Sequence, residues 1–505
     1  MLRFIPPVVF FGTLGYVLMN WFPTEFRRFA GGGVVERTIS RSHLASLHTP
    51  GRVDNGGSRR LRLFMPADGP NVNLCKTIMS AVALGYPMPT LLNWNGEFNR
   101  PDWHFAGSHI AKLESLLAAI DDLYERDDSD MNENDLVLLV DAYDVWFQLP
   151  PSVLIERFHR LNRKADARAG KQWEGLGLKP DFPVAPPAQE IIVTAAKDCQ
   201  PTWESGSDPR YEYWPDSPLP PDFYGNETDQ VLPYVFDSAR KYSKMRPRCV
   251  NSGMVMGTVG PLRGALRKCK GKADAAAAAG RQLWSDQALL AEVIGDQEVW
   301  RHWVRGLAAA WNGIVSPERP GRLPREVRRI ADAALAGEAF EFGIGLDYDF
   351  ATIPPTCSSE EDGYFPPPIP GHTWGDLSLY TDFFFGTPPV GIHHNAYVFG
   401  LKAWRLEHWW NLTRFHPHLR GLVTEALASN RKLTPLARLP LDSDGGSEMV
   451  YWASGEGPDE ASVKVFDGSK ERTAYSSVGW DGVCQKGDKK WYDVVFADGK
   501  GPLAV

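Results

Sequence analysis

Cysteine is sparse in this chain. Six residues in 505 (Cys75, Cys199, Cys249, Cys269, Cys357 and Cys484) include no two close enough for a CxxC pair, which excludes a disulfide-dense scaffold and a zinc ribbon. Cys199 and Cys249 bracket a long polar insertion and are the candidate pair for a bridge; the competing account leaves all six as small buried thiols. An excess of basic charge is also missing. The formal net charge is −8 and no basic domain stands out, which argues against general binding of nucleic acid. There is no internal repeat, and no Ser-His-Asp or Cys-His arrangement that would signal a protein nucleophile. What remains is 43% hydrophobic and 23% charged, the balance of a globular chain with one large domain and a smaller one.

Long apolar runs are rare, and the first is at the amino terminus. Phe4 to Phe22 is apolar apart from Thr13 and Asn20, a stretch of 19 residues that just crosses a hydrocarbon core of about 30 Å. No small-x-small cleavage site follows it, so residues 1–29 read as an uncleaved anchor, with a cleaved signal peptide as the competing reading. Arg27, Arg28, Arg37 and Arg41 after the span would hold the body of the protein in the cytosol. The sequons Asn226-Glu-Thr228 and Asn411-Leu-Thr413 point instead to the secretory lumen. Residues 30–60, rich in Gly, Ser and Arg without a sustained period, read as a stem.

The folded part begins near Leu61. Strand-like runs at Leu61–Met65, Thr90–Trp94, Leu136–Val140, Glu190–Ala196, Cys249–Gly257, Phe342–Phe350 and Pro389–His394 alternate with helical periods, among them Leu74–Leu84, Ser108–Leu123, a helix through Leu262 and Leu266, and a short one over Ser285–Ile294. This order predicts an α/β fold with a mostly parallel sheet flanked by helices. Polar, Pro-rich insertions at Pro201–Pro247 and Pro354–Gly371 are long enough to be functional or disordered. From about Leu433 the chain turns to short β-like runs, Ser462–Phe466 and Trp491–Phe496, between Asp-Gly and Lys-Gly turns. The predicted division is therefore 1–29 anchor, 30–60 stem, 61–432 main domain and 433–505 a small β-rich appendage.

The chemistry concentrates where apolar strands end. Asp135-Leu-Val-Leu-Leu-Val-Asp141-Ala-Tyr-Asp144 is apolar at every position before it meets two acids three residues apart. Such a run reads as a strand buried on both faces, and ligands of open α/β sheets bind at the carboxyl ends of strands. Asp141 and Asp144 suit Mn²⁺ or Mg²⁺, hard ions that take carboxylate oxygen and carry phosphates; the plainer account has one acid capping the next helix and the other in solvent. His393-His394-Asn395 ends another apolar run and can bring one imidazole to the same edge, since neighbouring side chains on a strand face opposite ways. Asn251-Ser-Gly253 offers an amide and a closely approaching backbone to hydroxyls, or is merely a bulge. Asp286-Gln287 either faces a substrate or opens a helix that Ser285 caps. Asp347 and Asp349 are open to either account, and Trp94, Trp103, Trp203 and Trp284 are stacking platforms or core.

Taken in order, these segments resemble the metal-dependent GT-A glycosyltransferase domain of collagen lysyl hydroxylases. That family carries a VDxYD strand end, a Cys-Trp-Pro-x-Trp-like segment, an NSGG strand, an acidic run before Gln, an LDH-like strand and a closing HGN. Here they stand as Val140-Asp-Ala-Tyr-Asp144, Cys199-Gln-Pro-Thr-Trp203, Asn251-Ser-Gly-Met254, Ser285-Asp-Gln287, Leu346-Asp-Tyr348 and His393-His-Asn395, spread between Leu61 and Trp410. The resemblance implies a Rossmann-like GT-A sheet and Mn²⁺ held by Asp141, Asp144 and His393. It implies a UDP-sugar whose nucleotide or phosphates lie near Lys112, Trp94, Tyr143 and Asn395, and a transferred sugar facing Asn251 and Asp286. The acceptor would be a glycan or glycoprotein hydroxyl, in the Golgi or endoplasmic reticulum. Three departures bear on the donor sugar and the acceptor: Met254 replaces a glycine, the acidic run has shrunk to Ser285-Asp286, and His394 replaces the glycine after the metal histidine. No His-x-Asp with a distal His follows in the C-terminal part, so the family's oxygenase activity is not expected. An inactive nucleotide-sugar or glycan binder and a metal-dependent phosphohydrolase are the alternatives.

Overall fold

The computed structural model describes residues 54–103, 106–125, 131–176, 182–233, 238–309, 323–365, 379–413, 415–429, 434–441, 447–454, 462–468 and 475–503. The anticipated anchor at 1–29 lies outside the described residues, as does most of the stem. No helix among the described residues is long and apolar enough to cross a membrane.

A mixed, mostly parallel sheet of ten strands is flanked by helices. Its order is β14 (Tyr475–Val478), β13 (Val463–Phe466), β2 (Thr90–Leu92), β1 (Gly57–Pro66), β3 (Leu136–Val140), β6 (Cys249–Thr258), β5 (Ile191–Ala196) and β7 (Ile344–Asp347); β12 (Glu448–Ala453) pairs the first half of β1, and β11 (Ala437–Pro440) lies outside it. The continuous apolar run of β3 is explained by its place between two cores. Leu136, Leu138 and Val140 enter one and Val137 and Leu139 the other, so strand alternation leaves neither face for a polar residue. Helices Val72–Ala83 and Pro151–Gly175 cover the first face; Ala106–Glu125, Val259–Ala278 and Asp286–Ala309 cover the second.

Several expectations need correcting. β6 runs antiparallel to both β3 and β5, because its link to the preceding strand is the 201–247 insertion rather than a crossover helix. The described part of that insertion is ordered by short turns and by the Cys199–Cys249 disulfide. The helix anticipated over Ser285–Ile294 runs on to Ala309, since its apolar positions continue through Trp300, Trp303 and Leu307 into a third cluster with Ile330 and Phe340. Trp491–Phe496 is not a strand: Tyr492–Phe496 is helical, with Tyr492, Val495 and Phe496 buried on one side. Val145–Phe147 (β4) and the helices Pro151–Gly175 and Arg325–Leu335 went unanticipated.

The C-terminal segment is built into the main sheet. β12 and β13 pair in parallel with β1 and β2, and Trp480, Val483, Trp491 and Phe496 belong to the same core as β1 and β3. A second disulfide, Cys75–Cys484, ties helix Val72–Ala83 to residues 409 positions later; Cys269 and Cys357 are buried free thiols. We expect Cys75→Ser/Cys484→Ser to cost about 2–4 kcal/mol and to open residues beyond 434 to trypsin first, read by thermal melts and mass spectrometry of the fragments. Uniform resistance to trypsin would show that packing alone holds the segment.

Candidate metal centre

The two acids leave β3 just where its ladder stops. Asp141 donates its backbone N–H to the Gly253 carbonyl at 3.0 Å; two residues later the chain turns and re-enters as β4 (Val145–Phe147). β4 pairs antiparallel with β10 (Gly391–His393), His393 standing opposite Val145, and His394 donates its N–H to the Asp144 carbonyl at 2.7 Å. This two-stranded ribbon carries residues far apart in the chain to one point. Asp141, Asp144 and His393 offer one ligand atom each within 4.8 Å of one another, a group able to bind a divalent ion.

Strand alternation separates the two histidines. His393 faces the acids, its Nε2 3.5 Å from Asp141 Oδ2 and 3.4 Å from Asp144 Oδ2. His394 turns into the core against Trp146, ring centroids 4.1 Å apart; burial, and then the charge of Arg405, push its imidazole well below the usual range, so it stays neutral. For His393 the tautomer is set by Asn251, whose Oδ1 lies 2.9 Å from Nδ1. A carbonyl oxygen only accepts, so Nδ1 carries a proton and Nε2 is the nitrogen turned toward the acids, the orientation metal-ligating histidines adopt. Gly253 is obligatory here for the same reason: a Cβ at that position would sit 2.2 Å from His393 Nδ1. The close backbone approach anticipated for Asn251-Ser-Gly253 is thus made to the imidazole.

Charge around the acids is held by two lysines. Lys112 Nζ, buried, lies 2.7 Å from Asp141 Oδ1, 2.8 Å from Asp286 Oδ2 and 2.7 Å from the Ser252 carbonyl. Burial opposes its charge, but Asp141 and Asp286 outweigh that and hold the ammonium above the usual lysine range. Lys402, at the start of helix Leu401–His408, bonds Asp144 from the other side with half of its side chain exposed. Burial raises the Asp144 carboxyl, and His393 with Lys402 more than offsets this to leave it below the usual range. Asp286 follows the same pattern: burial opposes its charge, Lys112 and then the Ser252 hydroxyl (2.9 Å) win, and the carboxyl is lowered. Gln287 braces this side, its Oε1 accepting from Asn251 Nδ2 and the Ser252 N–H at 3.2 Å each.

The remaining candidates divide. Tyr143 and Trp94 meet the same loop at the carboxyl ends of β1 and β2: Asp68 donates its N–H to the Tyr143 hydroxyl at 3.0 Å and accepts from the Asn95 N–H at 3.1 Å, with Trp94 half-buried beside it. Asn395 spends its Oδ1 on the Cys357 N–H at 2.9 Å, leaving only its amide hydrogens for a ligand. Asp347 is a turn residue, its Oδ2 accepting from the Thr352 N–H and hydroxyl at 2.7 Å each, and Asp349 pairs with Lys164. Trp103 is buried under Arg100, whose guanidinium lies 4.8 Å from the ring centroid. Trp203 and Trp284 are exposed on adjoining loops joined by the Trp284 N–H to the Ser205 carbonyl at 2.8 Å. Lys402 carries no signal in the sequence alone; its spacing of nine residues from His393 becomes one only once β10 and the following helix start are known.

Two measurements probe this geometry without an activity assay. Gly253→Ala should lower the melting temperature and, in protein that circular dichroism shows still folded, weaken Mn²⁺ binding by at least ten-fold, read by electron paramagnetic resonance titration; unchanged affinity would mean that His393 is not a ligand. Lys402→Met should tighten Mn²⁺ binding several-fold in the absence of nucleotide, because an ammonium that shares Asp144 competes with the ion; weaker binding would show that Lys402 instead shapes the site. No family model matches this chain, and no curated protein is similar enough to count as a relative.

Proposed function

We propose that the protein is a metal-dependent glycosyltransferase of GT-A type that moves a sugar from a UDP-sugar to a glycan or glycoprotein hydroxyl in the lumen of the Golgi or endoplasmic reticulum, anchored there by residues 1–29. The observation that supports this best is the convergence of Asp141, Asp144 and His393 on one point at the carboxyl end of β3, between two lysines. Two carboxylates and an imidazole whose Nε2 is turned toward them by the Nδ1 bond to Asn251 fit Mn²⁺ or Mg²⁺. When bound, the ion would supply Lewis-acid stabilisation of the diphosphate charge. Two disulfides among the described residues and the exposed sequon asparagines Asn226 and Asn411 suit an oxidising lumen.

In this reading Lys112 and Lys402 meet the phosphate oxygens, exchanging carboxylate partners for them, and Trp94 with Tyr143 flanks the base. The amide hydrogens of Asn395 remain for the nucleotide. Asn251 and Asp286 face the transferred sugar. The acceptor oxygen bonds to the anomeric carbon as the anomeric C–O bond to the diphosphate breaks, and that bonding pair departs with UDP. Asp286, held low by Lys112 and Ser252, is a weak base suited to orienting sugar hydroxyls; the acceptor proton leaves on the diphosphate oxygen, the stronger base.

The test is UDP release from UDP-glucose, UDP-galactose, UDP-xylose and UDP-N-acetylglucosamine by the purified full-length chain, with Mn²⁺ or EDTA. We expect release from at least one donor, abolished by EDTA and reduced at least a hundred-fold in Asp144→Asn. Tight UDP binding without release from any donor would make the protein a nucleotide-sugar binder. Cleavage of a simple phosphate ester with no acceptor present would make it a phosphohydrolase.

A further inference from the structure

Beside the metal centre lies a pocket that the chemistry above does not use. It has a volume of about 290 Å³ and is lined by Arg240, Ser243, Lys244, Ser358, Glu360, Glu361, Asp362, Val398 and Leu401. Its charges are unevenly satisfied. Glu361 pairs with Arg240 and Asp362 with the buried Lys197, each at 2.6 Å. Glu360 has only one oxygen engaged, Oε1 accepting from the Tyr397 N–H at 2.8 Å. Its Oε2 is buried without a hydrogen-bond partner, and so is the hydroxyl of Ser358, a residue with no exposed surface. Buried polar atoms left unpaired cost about 1–3 kcal/mol each, and these two belong to residues that line one pocket, where the hydroxyls of a ligand would satisfy them.

Exposed rings adjoin two of the lining residues: Phe384, with Lys244 4.9 Å from its ring centroid, is 37% exposed, and Phe399, next in the chain to Val398, is fully exposed. Acceptor oxygens on lining residues with exposed rings next to them match a saccharide, whose hydroxyls donate to carboxylate and serine while its C–H faces lie on rings. A cation is the other group a free carboxylate attracts; here Glu361 and Asp362 already have cationic partners in Arg240 and Lys197, and Lys244 also lines the pocket.

The pocket's lining is linked to the candidate metal site through neighbouring residues. The backbone of Thr356 is bonded to the His393 carbonyl at 3.1 Å and Cys357 to Asn395, so Ser358 is two residues, at most about 7 Å of chain, from the strand that carries the metal histidine. On the opposite wall Leu401 immediately precedes Lys402, the partner of Asp144.

We propose that this pocket is a saccharide-binding subsite that holds the sugar of a glycan acceptor next to its reacting hydroxyl, with Glu360 and Ser358 accepting from sugar hydroxyls. It rests on the glycosyltransferase reading for its role, though not for its ability to bind. The test is saturation-transfer difference NMR of the full-length chain with lactose, maltose, xylobiose and chitobiose, without metal or donor, and with cadaverine as a cationic probe. At least one disaccharide should bind, and Glu360→Gln and Ser358→Ala should each weaken it ten-fold or more while leaving UDP and Mn²⁺ binding unchanged. No disaccharide bound by a chain that still releases UDP from a donor would overturn the subsite and spare the transferase. Saccharide binding of this pattern with no UDP release would uphold the subsite and sink the transferase. Preference for cadaverine, or saccharide binding untouched by both substitutions, would refute the proposal.

Discussion

Everything around the metal centre answers one electrostatic problem: two carboxylates held close together at the mouth of a dry, doubly buried strand. Like charges at such separations repel strongly where water is scarce. The chain places positive or polarised groups on every side. Lys112 rises from the helix on one face of the sheet, Lys402 from a helix start beyond β10, and the His393 imidazole lies between the two acids. Lys112 is bonded three times, twice by carboxylates. A carboxylate pair of this kind, already compensated by groups that can shift, is ready to exchange part of that compensation for a divalent ion.

Precision comes from backbone rather than from side chains. His393 can lie flat over β6 only because residue 253 lacks a Cβ, and its ring is oriented by Asn251 two residues away on the same strand. Asn251 is itself held by Gln287, and Gln287 by the Gln200 carbonyl at 2.5 Å. One strand, β6, therefore positions the imidazole, receives the Asp141 N–H, and carries the carbonyl that Lys112 bonds. Ligand placement is coupled to the Cys199–Cys249 bridge as well, since Cys249 opens β6.

Much of this was legible in the sequence, for identifiable reasons. A run apolar at every position has one simple explanation, burial on both faces, and β3 follows it; acids at its end stand out against that background. His393 could be singled out from His394 only as one of a pair facing opposite ways, and the structure supplies which. The antiparallel setting of β6 was hidden because a strand's own residues do not record the direction of its neighbours. Trp491–Phe496 misled because a short run of aromatic and β-branched residues, broken by a single Asp, fits either a strand or one buried helix turn. The insertion that holds the 358–362 turn stood out by its length, but the part played by that turn and by Lys402 did not, for a different reason: it lies in contacts with Tyr397 and Asp144, 37 and 258 residues away, and polar loop residues announce no period.

The β4–β10 ribbon is where metal centre and neighbouring pocket become one mechanical unit. β10 gives its His393 side chain to the acids, its His393 carbonyl to Thr356, and, through Asn395, an acceptor to the Cys357 N–H. The 356–362 turn is thereby fixed to the strand that holds His393, and Glu360 is tied back to Tyr397 in the segment leading to Lys402. A displacement of β10 would move the imidazole, the lysine on Asp144 and the pocket wall together. Such coupling makes rigidity useful: a ligand ordered against Glu360 and a diphosphate ordered at the acids would each favour the same position of one ribbon, so that each lowers the conformational cost of binding the other.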